Sequence, residues 1–422
     1  MKILIVSYFF PPYNVIGAVR VGKLAEYWSE RGHDVRVIAA NNQPLAKTLK
    51  TKLPSDKIIY TNWINVNKLP ELVLGGRKKV MSHGFSSKSS MLGKLGLLYK
   101  TCFNLPDGQI GWYPYATSSA KSLIAGGWQP DLIYASAHPL TSLIIANRIS
   151  KFSKAPWVAE LRDLWTDNHN YHFPKWRKGI ETKLESKILS TASAAITVSD
   201  PLASTLRAKL AIPVATILNG FDKSDIESEI APITPNKTLN IVYTGMVYSG
   251  KQDIEIFFKA LKLLNKPDSI SVNFYGRYLS EVKSLSTKYD LENVVKVNEP
   301  VPYLESIKIQ KNADILLFLL WNDIKEKGVF TGKLFEYFGA LRPILAIGNQ
   351  YNVAAELILE RKAGIVSINS EEISHQLEAW VNLKTAQNET LSLPATTNLG
   401  LSRSEQFERL DTFLKVHHLI KD

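Results

Sequence analysis

The stretch from Lys325 to Ala346, KEKGVFTGKLFEYFGALRPILA, decides the fold, because it holds a complete helix followed by a buried strand. Apolar residues stand at positions 334, 335, 337, 338 and 341, a spacing that is typical of a mostly buried helix. Thr331 is expected to cap this helix, and Arg342-Pro343 ends it. The apolar run 344–347 then predicts a strand.

The start of this helix has the composition of an anion site. Thr331 and Gly332 leave backbone N–H groups free for an incoming anion, and Lys333 adds a positive charge beside them. Glu336 lies one turn further along, where a carboxylate can accept hydrogen bonds from vicinal hydroxyls such as those of a ribose. Taken alone, the same residues fit an amphipathic helix with a solvated lysine and glutamate equally well. The rest of the chain has to decide between the two interpretations.

Bulk composition predicts a soluble globular protein with two sizeable domains. The chain has 422 residues, of which 45% are hydrophobic and 21% charged. Its one cysteine, Cys102, excludes an intramolecular disulfide and fits a reducing compartment. The longest apolar run, 313–321, is far shorter than the roughly 20 residues of a spanning helix, and the N-terminus lacks a signal sequence. We therefore expect a cytoplasmic protein.

Positive charge is concentrated in the first half of the chain. Residues 1–218 contain 28 Lys and Arg against 13 Asp and Glu, whereas residues 219–422 contain 23 against 26. Two segments, 72–105 and 172–178, combine cations with apolar or aromatic residues, which favours an anionic membrane surface as partner. For the first segment a mobile, solvated loop is an equal alternative. Nucleic acid is disfavoured because no binding motif is present, so we expect a peripheral position on the inner face of the membrane.

Short apolar runs alternate with helical patterns along the whole chain. The predicted strands are residues 3–7, 35–40, 131–136, 157–159, 194–199, 239–244, 271–275, 294–297, 315–320 and 344–347. Strands that alternate with helices form parallel sheets. This order predicts an α/β fold of two doubly wound Rossmann-like domains facing across a cleft, joined by a linker at 223–237.

Candidate site residues of the first half follow its strands, because ligands of such sheets lie outside the carboxyl ends of the strands. Gly17 and Arg20 follow the first strand, without the G-x-G-x-x-G pattern of a nicotinamide site. Arg162 is suited to phosphate and Asp163 to sugar hydroxyls, although a structural ion pair explains Asp163 as well. His138 is a candidate substrate contact or a satisfied buried histidine.

Candidate residues of the second half suit a nucleoside diphosphate. Gly245 and Lys251 lie in a glycine-bearing loop after the strand 239–244, and Arg277 follows the strand 271–275. Together with Thr331, Gly332, Lys333 and Glu336 they offer N–H groups, cations and one carboxylate. Such a set holds phosphates without a metal or another cofactor, and the sequence has no Asp-x-Asp pair. Val301 and Pro302 are expected to influence the choice of base.

These residues resemble the family 4 glycosyltransferases of the GT-B fold, retaining enzymes that build bacterial surface polysaccharides and glycolipids. The resemblance covers nearly the whole chain, and its most specific part is the run from Gly332 to Tyr337. The other matching segments are residues 8–17, 31–35, 219–222 and 243–245 together with Lys251.

The resemblance implies that Glu336 binds the nucleotide ribose, that Lys251 binds the diphosphate and that Gly17 approaches the donor phosphates. It also implies that the C-terminal helix crosses back to the first domain. The expected domains are thus 1–218 plus 402–422, on the acceptor side, and 219–401, which binds the nucleotide sugar.

The implied activity is retaining and metal-independent. A hexosyl or N-acetylhexosaminyl group would move from a UDP- or GDP-sugar to a lipid-linked or saccharide acceptor in lipopolysaccharide or exopolysaccharide synthesis. Asp163, Arg162 and His138 are the candidate catalytic residues.

The sequence departs from the family pattern at three places. Gly328 stands where many relatives have a glutamate, Met246 where many have an arginine, and Arg162-Asp163 where several have a histidine. Diphosphate and sugar contacts would then be shared among Arg162, Arg277 and Lys333. Two alternatives remain: a nucleotide-sugar 2-epimerase of the same two-domain architecture, and a nonenzymatic saccharide- or lipid-binding protein with a decayed donor site.

Overall fold

The computed structural model describes residues 1–68, 98–227, 237–387 and 389–421. The chain divides into two units, each with its own parallel sheet. Unit 1 comprises Met1–Ile217 and Phe407–Asp422, and unit 2 comprises Leu218–Gln406. The predicted α/β class with two doubly wound Rossmann-like domains is confirmed. Residues 69–97 of the first basic segment and 228–236 of the predicted linker lie outside the described residues.

The strands pair in parallel throughout both sheets. In unit 1 they are β1 Lys2–Ser7, β2 Asp34–Ala40, β3 Ile58–Thr61, β4 Leu132–Ala137, β5 Trp157–Leu161, β6 Ala194–Thr197 and β7 Val214–Thr216, in the order 3-2-1-4-5-6-7. In unit 2 they are β8 Leu239–Thr244, β9 Ile270–Tyr275, β10 Val295–Asn298, β11 Ile315–Leu319, β12 Ile344–Ile347 and β13 Gly364–Ser367, in the order 10-9-8-11-12-13.

Helices connect these strands. They are α1 Ile16–Glu30, α2 Tyr113–Ala125, α3 Thr141–Ser153, α4 Lys175–Leu189, α5 Asp200–Lys209, α6 Lys223–Ile226, α7 Glu255–Lys262, α8 Ser280–Lys288, α9 Tyr303–Lys311, α10 Gly332–Ala340, α11 Val353–Glu360, α12 Ser370–Gln387 and α13 Arg403–Val416. Residues 98–103 are also helical. Within the described ranges, no helix is long and apolar enough to cross a membrane.

Unit 1 has a hydrophobic core on each face of its sheet. Successive side chains of a strand point to opposite faces, so Leu4 and Val6 of β1 join one core, whereas Ile3 and Ile5 join the other. The first core includes Leu143 of α3. Both faces of a parallel sheet are buried by its connecting helices, which explains the continuous apolar runs that predicted these strands.

The C-terminal helix α13 contributes to the second of these cores. Its Phe407, Leu410 and Leu414 are buried there, and Trp28 Nε1 donates to Asp411 Oδ1 at 2.8 Å. The C-terminal segment of unit 1 begins at Phe407, whereas the sequence predicted that it begins at residue 402. Ser402 forms a β-bridge with Phe221, which ties the residues just before Phe407 to unit 2.

Helix α10 and strand β12 confirm the secondary structure predicted for the stretch 325–346. Leu334, Phe335, Tyr337 and Phe338 are fully buried against Leu316 and Phe318 of β11. Leu341 adopts left-handed backbone angles with φ +53°, which ends the helix before Pro343. The packing holds the start of α10 at the carboxyl edge of the sheet of unit 2.

Candidate functional site

Two glycines open the carboxyl edge of the unit 2 sheet. Gly245 follows β8 with φ +125°, and its N–H donates to Tyr275 O at 2.8 Å. A Cβ added to Gly276, which follows β9, would lie 1.9 Å from Gly245 O. Glycine is required at both positions, one for its backbone angle and the other for the close approach of the two chains. The strand ends therefore carry no side chain that would cover this edge.

Lys333 extends its ammonium group into the space over Gly245. Its Nζ lies 2.9 Å from the position of a Cβ on Gly245 and 3.7 Å from the centre of the Tyr243 ring. Burial lowers the pKa of Lys333 to about 7, and the nearby Glu336 only partly opposes this effect. An anion placed here would restore the charged form of the lysine. The residue is thus suited to bind a phosphate oxygen.

Glu336 lies one turn further along α10, with Gln310 of α9 beside it. Gln310 Nε2 donates to Glu336 Oε2 at 3.2 Å and to Thr244 Oγ1 at 3.0 Å. Burial raises the pKa of Glu336, although this hydrogen bond and the charges of Arg403 and Lys333 act in the opposite direction. Gln310 was not predicted as a site residue. The signal for it is a polar side chain three positions after the buried Ile307 on the inner side of α9.

Thr331 occupies the N-cap position of α10 with extended backbone angles, as predicted, but its side chain makes no capping hydrogen bond. Its buried Oγ1 has no hydrogen-bond partner among the described residues. The predicted N-cap position is therefore confirmed, although the side chain itself does not cap the helix. The hydroxyl of Thr331 and the first-turn N–H groups of Gly332 and Lys333 remain available to an anion.

Lys251 belongs to a second cluster at the same edge. Its exposed side chain places Nζ 5.6 Å from the centre of the Trp321 ring, and that ring lies 5.0 Å from the ring of Tyr248. The indole Nε1 of Trp321 is buried without a partner among the described residues. Asn322 N donates to Lys251 O at 2.9 Å, which joins the loops after β8 and β11. Trp321 was also missed, since an aromatic residue after a strand carries no specific signal.

Arg277 and Val301 stand apart from these contacts. Arg277 is exposed after β9. Val301 is half-buried shortly before α9. The structure thus brings Gly245, Lys333 and Glu336 together. The binding roles of these three residues, like those of Arg277 and Val301, remain predictions.

In unit 1, Arg162 is fixed against the start of α1. Its Nε donates to Ala137 O at 3.0 Å and its Nη2 to His138 O at 2.9 Å. The guanidinium lies so close to Gly17 that an added Cβ would be 2.5 Å from Nη1. A guanidinium held in this way keeps N–H groups free in a fixed orientation, which suits recognition of a phosphate.

His138 and Asp163 form a pair beside Arg162. His138 Nδ1 lies 3.6 Å from Asp163 Oδ2. Burial by itself would raise the pKa of Asp163, but the interaction with His138 and the charge of Arg162 outweigh it and hold that pKa below its usual value. The structure therefore groups four predicted residues of unit 1, with Asp163 ionised and partly exposed.

Arg20 does not share the accessible position expected for it. The residue is 3% exposed, its Nε contacts Glu160 Oε1 at 2.8 Å and its Nη2 donates to Ile217 O at 3.0 Å. Glu160, in turn, accepts hydrogen bonds from Tyr134 Oη at 2.6 Å and Ser136 Oγ at 2.5 Å. Direct donor contact by Arg20 does not fit this burial. Its contact with Glu160 joins the start of α1 to β5, the strand that leads into Arg162.

The described residues contain no group of three or more His, Cys, Asp or Glu side chains placed to hold a metal ion. The arrangement instead offers cations, backbone N–H groups and single carboxylates. These groups bind phosphates and sugar hydroxyls directly.

Residues 17–225 match the family model described as Glycosyltransferase Family 4. The match spans 209 of the 422 residues, just under half of the chain. No curated protein sequence matches the chain. The family assignment agrees with the resemblance found in the sequence.

Solved structures share the fold at low sequence identity. A glycosyltransferase from Rickettsia africae ESF-5 is 15% identical, with 98% of each chain covered and a TM-score of 0.62. Anabaena Alr3699/HepE in complex with UDP and glucose is 15% identical, covering 99% of this chain and 100% of that chain, with a TM-score of 0.60. The apo form of the lipopolysaccharide outer core galactosyltransferase WaaB is 13% identical, covering 99% of each chain, with a TM-score of 0.58. The two Rossmann-like domains are therefore those of a GT-B fold.

Proposed function

We propose that this family 4 glycosyltransferase takes its sugar from a nucleoside diphosphate donor, UDP- or GDP-linked, that binds at the carboxyl edge of the unit 2 sheet. The observation that carries this proposal is the placement of Lys333 and Glu336 one turn apart at the start of α10. Lys333 faces the open backbone at Gly245, and Glu336 is oriented by Gln310. A cation and a carboxylate at this separation match the diphosphate and the ribose of one nucleotide.

The diphosphate needs no metal ion in this proposal. Lys333, the hydroxyl of Thr331 and the first N–H groups of α10 supply charge and hydrogen bonds, and the helix N-terminus adds its dipole. Lys251 and Arg277 lie after the neighbouring strands β8 and β9 and add positive charge on exposed side chains. The complex of HepE with UDP and glucose supports a UDP-sugar as one candidate donor.

Catalysis would then be mainly electrostatic. As the bond between sugar and diphosphate breaks, negative charge grows on the leaving phosphate, and fixed donors stabilise it without reorganising. Arg162 is such a donor, because two carbonyl groups already fix its guanidinium. The family resemblance favours attack of the acceptor hydroxyl on the face that the diphosphate leaves, hence retention without an enzyme nucleophile. Asp163, paired with His138, is the candidate to orient that hydroxyl.

The acceptor is proposed to be a lipid-linked or saccharide hydroxyl in the synthesis of a surface polysaccharide. The lipopolysaccharide galactosyltransferase WaaB, which has a similar fold, and the basic first half of the chain support this choice. A decayed donor site is less consistent with the ordered set of Lys333, Glu336 and Gln310.

Binding measurements with a panel of UDP- and GDP-sugars test the donor site. Lys333→Met is expected to weaken binding of every donor, whereas Glu336→Gln is expected to weaken a ribonucleotide sugar more than its 2′-deoxy counterpart. Lys259→Met removes an exposed lysine of α7 in the same unit and serves as the matched control. Unchanged affinity in both site variants would contradict the proposal.

A product analysis separates the enzyme classes. Incubation of the donor with membrane lipids or oligosaccharides should give a glycosylated acceptor and free nucleoside diphosphate. Release of the diphosphate together with an isomerised free sugar would instead identify a 2-epimerase. Donor binding without any turnover would favour a saccharide-binding protein.

A further inference from the structure

Two aromatic side chains meet beside the proposed diphosphate site of unit 2. Tyr248 lies in the loop after β8 and Trp321 lies just after β11, and their ring centres are 5.0 Å apart at an angle of 44°. Tyr248 is 42% exposed, and Met246 of the same loop is 39% exposed. Exposed apolar side chains that cluster in this way mark a surface for a ligand. We call Met246, Tyr248 and Trp321 the apolar patch.

Hydrogen bonds fix the two loops that carry the apolar patch. The buried Gln252 donates from Nε2 to Leu319 O at 2.9 Å, and its Oε1 accepts from Tyr248 N at 3.1 Å. Asn322 N donates to Lys251 O at 2.9 Å. Because Leu319 and Asn322 stand on either side of Trp321 in the sequence, these bonds hold both rings at fixed places. The apolar patch is thus a built part of the sheet edge.

The indole N–H of Trp321 is a donor without an acceptor. Its Nε1 is buried, and no hydrogen-bond partner for it lies among the residues that the structure describes. Buried tryptophan N–H groups usually have a partner, and a missing partner costs free energy. The ring itself is half-buried, and the exposed side chain of Lys251 lies over it, with Nζ 5.6 Å from its centre. A ligand oxygen that reached this N–H would remove the cost.

The apolar patch adjoins the groups proposed to bind the diphosphate. The loop that carries Tyr248 begins at Gly245, where Lys333 Nζ would lie 2.9 Å from an added Cβ, and it continues to Lys251 over the Trp321 ring. In a nucleotide sugar the transferred sugar is bonded directly to the second phosphate. A sugar on a diphosphate held by Lys333 and Lys251 is therefore within reach of Tyr248 and Trp321.

We propose that the apolar patch selects a donor whose transferred sugar carries an acetamido group. This inference rests on the proposed function and names the class of sugar that the donor site takes. Lys251 moves from the ring of Trp321 to the bound diphosphate, which uncovers the indole. The acetamido carbonyl oxygen then accepts from Trp321 Nε1, and the acetamido methyl group packs against Tyr248 and Met246.

Other sugar substituents match only one feature of the apolar patch. A hydroxyl can accept from Trp321 Nε1, but it places its own O–H against apolar side chains, which costs free energy. The methyl group of a deoxy sugar packs against Tyr248 but brings no acceptor to the indole N–H. An acetamido group supplies an acceptor oxygen and a methyl group on the same carbon. A site with an unpaired donor discriminates against an analogue that lacks the acceptor.

Calorimetric titration of the full chain tests the proposal in two steps. UDP and GDP are titrated first, and a protein that binds neither of them contradicts the proposed donor site and this inference together. The nucleotide that binds is then compared with its glucose and N-acetylglucosamine esters, which differ only in the acetamido group. We expect the N-acetylglucosamine ester to bind roughly tenfold more tightly, through one hydrogen bond and one buried methyl group. Equal affinity for the two esters, or tighter binding of the glucose ester, would overturn the proposal and leave the donor site standing.

Two variants assign this preference to the apolar patch. Trp321→Phe keeps an aromatic ring but removes the N–H donor, so the preference for the N-acetylglucosamine ester should fall to about fourfold, the share of the methyl group. Tyr248→Ala removes the surface against which the methyl group packs and should also lower the preference. Both variants should bind the nucleotide without a sugar nearly as the parent does, because neither side chain contacts it.

Trp176→Phe serves as the matched control, because it makes the same substitution at an exposed tryptophan of α4 in unit 1. It should keep the full preference for the N-acetylglucosamine ester. Circular dichroism and affinity for the nucleotide alone confirm that each variant is folded. The proposal is wrong if Trp321→Phe and Tyr248→Ala both keep the preference of the parent, or if the control loses as much of it.

Discussion

At the scale of single residues, we expect Lys333 to make donor binding depend on pH. Burial lowers its pKa to about 7 in the free protein, and a bound diphosphate raises it again. Between these two pKa values the complex holds a proton that the free protein lacks, so donor affinity falls as pH rises from about 7. Below pH 7 the lysine is charged in both states and adds no pH dependence.

Titration calorimetry of a nucleotide sugar between pH 6.5 and 9 measures this effect. Its diphosphate does not titrate in this range, so proton uptake reports on the protein. At pH 8 the parent should take up a proton on binding, and Lys333→Met should not. Lys251→Met serves as the control that keeps the uptake. Equal proton uptake in the parent and in Lys333→Met would refute the assignment.

Replacement of glycine by alanine is expected to have opposite effects on stability at Gly276 and at Gly179. A Cβ at Gly276 would lie 1.9 Å from Gly245 O, whereas a Cβ at Gly179 in α4 meets nothing within 4 Å. Gly276→Ala should lower the free energy of unfolding by about 3 kcal/mol through overpacking. Gly179→Ala should raise it by up to about 1 kcal/mol, because alanine favours a helix. Urea denaturation of both variants measures the two changes in the free energy of unfolding. A loss of stability in Gly179→Ala would contradict the open space around Gly179.

Arg20 is a residue whose burial the sequence did not predict. Its position after the first strand predicted a ligand contact, yet it is paired with Glu160 inside unit 1. The sequence feature that indicates this burial is Glu160, which stands in the apolar strand β5 of a parallel sheet. A carboxylate buried there requires a cation as partner. A partner 140 positions away in the sequence could not be identified from local patterns.

Arg20→Met should destabilise the protein in a pH-dependent manner. Burial alone would raise the pKa of Glu160, but Arg20 and the hydroxyls of Ser136 and Tyr134 hold it below its usual value. Without the cation we expect a loss of about 3–5 kcal/mol at pH 7. The loss should shrink toward pH 5, because the unpaired Glu160 then takes up a proton before the unfolded chain does. Unfolding free energies with the same difference at both pH values would exclude this explanation.

At the scale of elements, the sequence predicted long periodic segments well. Helix α10 and strand β12 were found because their apolar periods are complete and Thr331 and Pro343 mark the ends. Strands β3, β7 and β13 were missed, since three or four half-buried residues carry too little pattern. Gln310 was missed for another reason. Gln310 contacts Glu336 because α9 packs beside α10. The periodicity of a single helix cannot predict such a tertiary contact.

The ends of strands β4 and β5 are joined by Arg162, and this arrangement predicts the effect of a charge-conserving substitution. A lysine keeps the positive charge but cannot donate to Ala137 O and His138 O while also presenting N–H groups to a phosphate. Arg162→Lys should therefore lower kcat by about 10²-fold, the effect of losing one preorganised donor. Steady-state kinetics and thermal unfolding measure activity and fold together. Full activity of a folded Arg162→Lys protein would show that this guanidinium is dispensable.

At the scale of the whole molecule, the two units differ in charge as well as in sequence. The net positive charge lies entirely within residues 1–218. The exposed basic helix α4 belongs to this half, while Lys333 and Glu336 belong to the nearly neutral second half. The proposed donor site therefore lies outside the strongly basic half of the chain. The uneven distribution of charge along the chain was predicted from composition. The partner of each buried carboxylate was found only in the structure.

Binding of the nucleoside diphosphate at the start of α10 can be tested by a crystal structure of the full chain with a nucleotide sugar. We expect a diphosphate oxygen within hydrogen-bonding distance of Lys333 Nζ and the ribose hydroxyls within the same distance of the Glu336 carboxylate. A nucleotide bound at another place, with Lys333 still against Tyr243 and Glu336 still hydrogen-bonded to Gln310, would contradict this assignment.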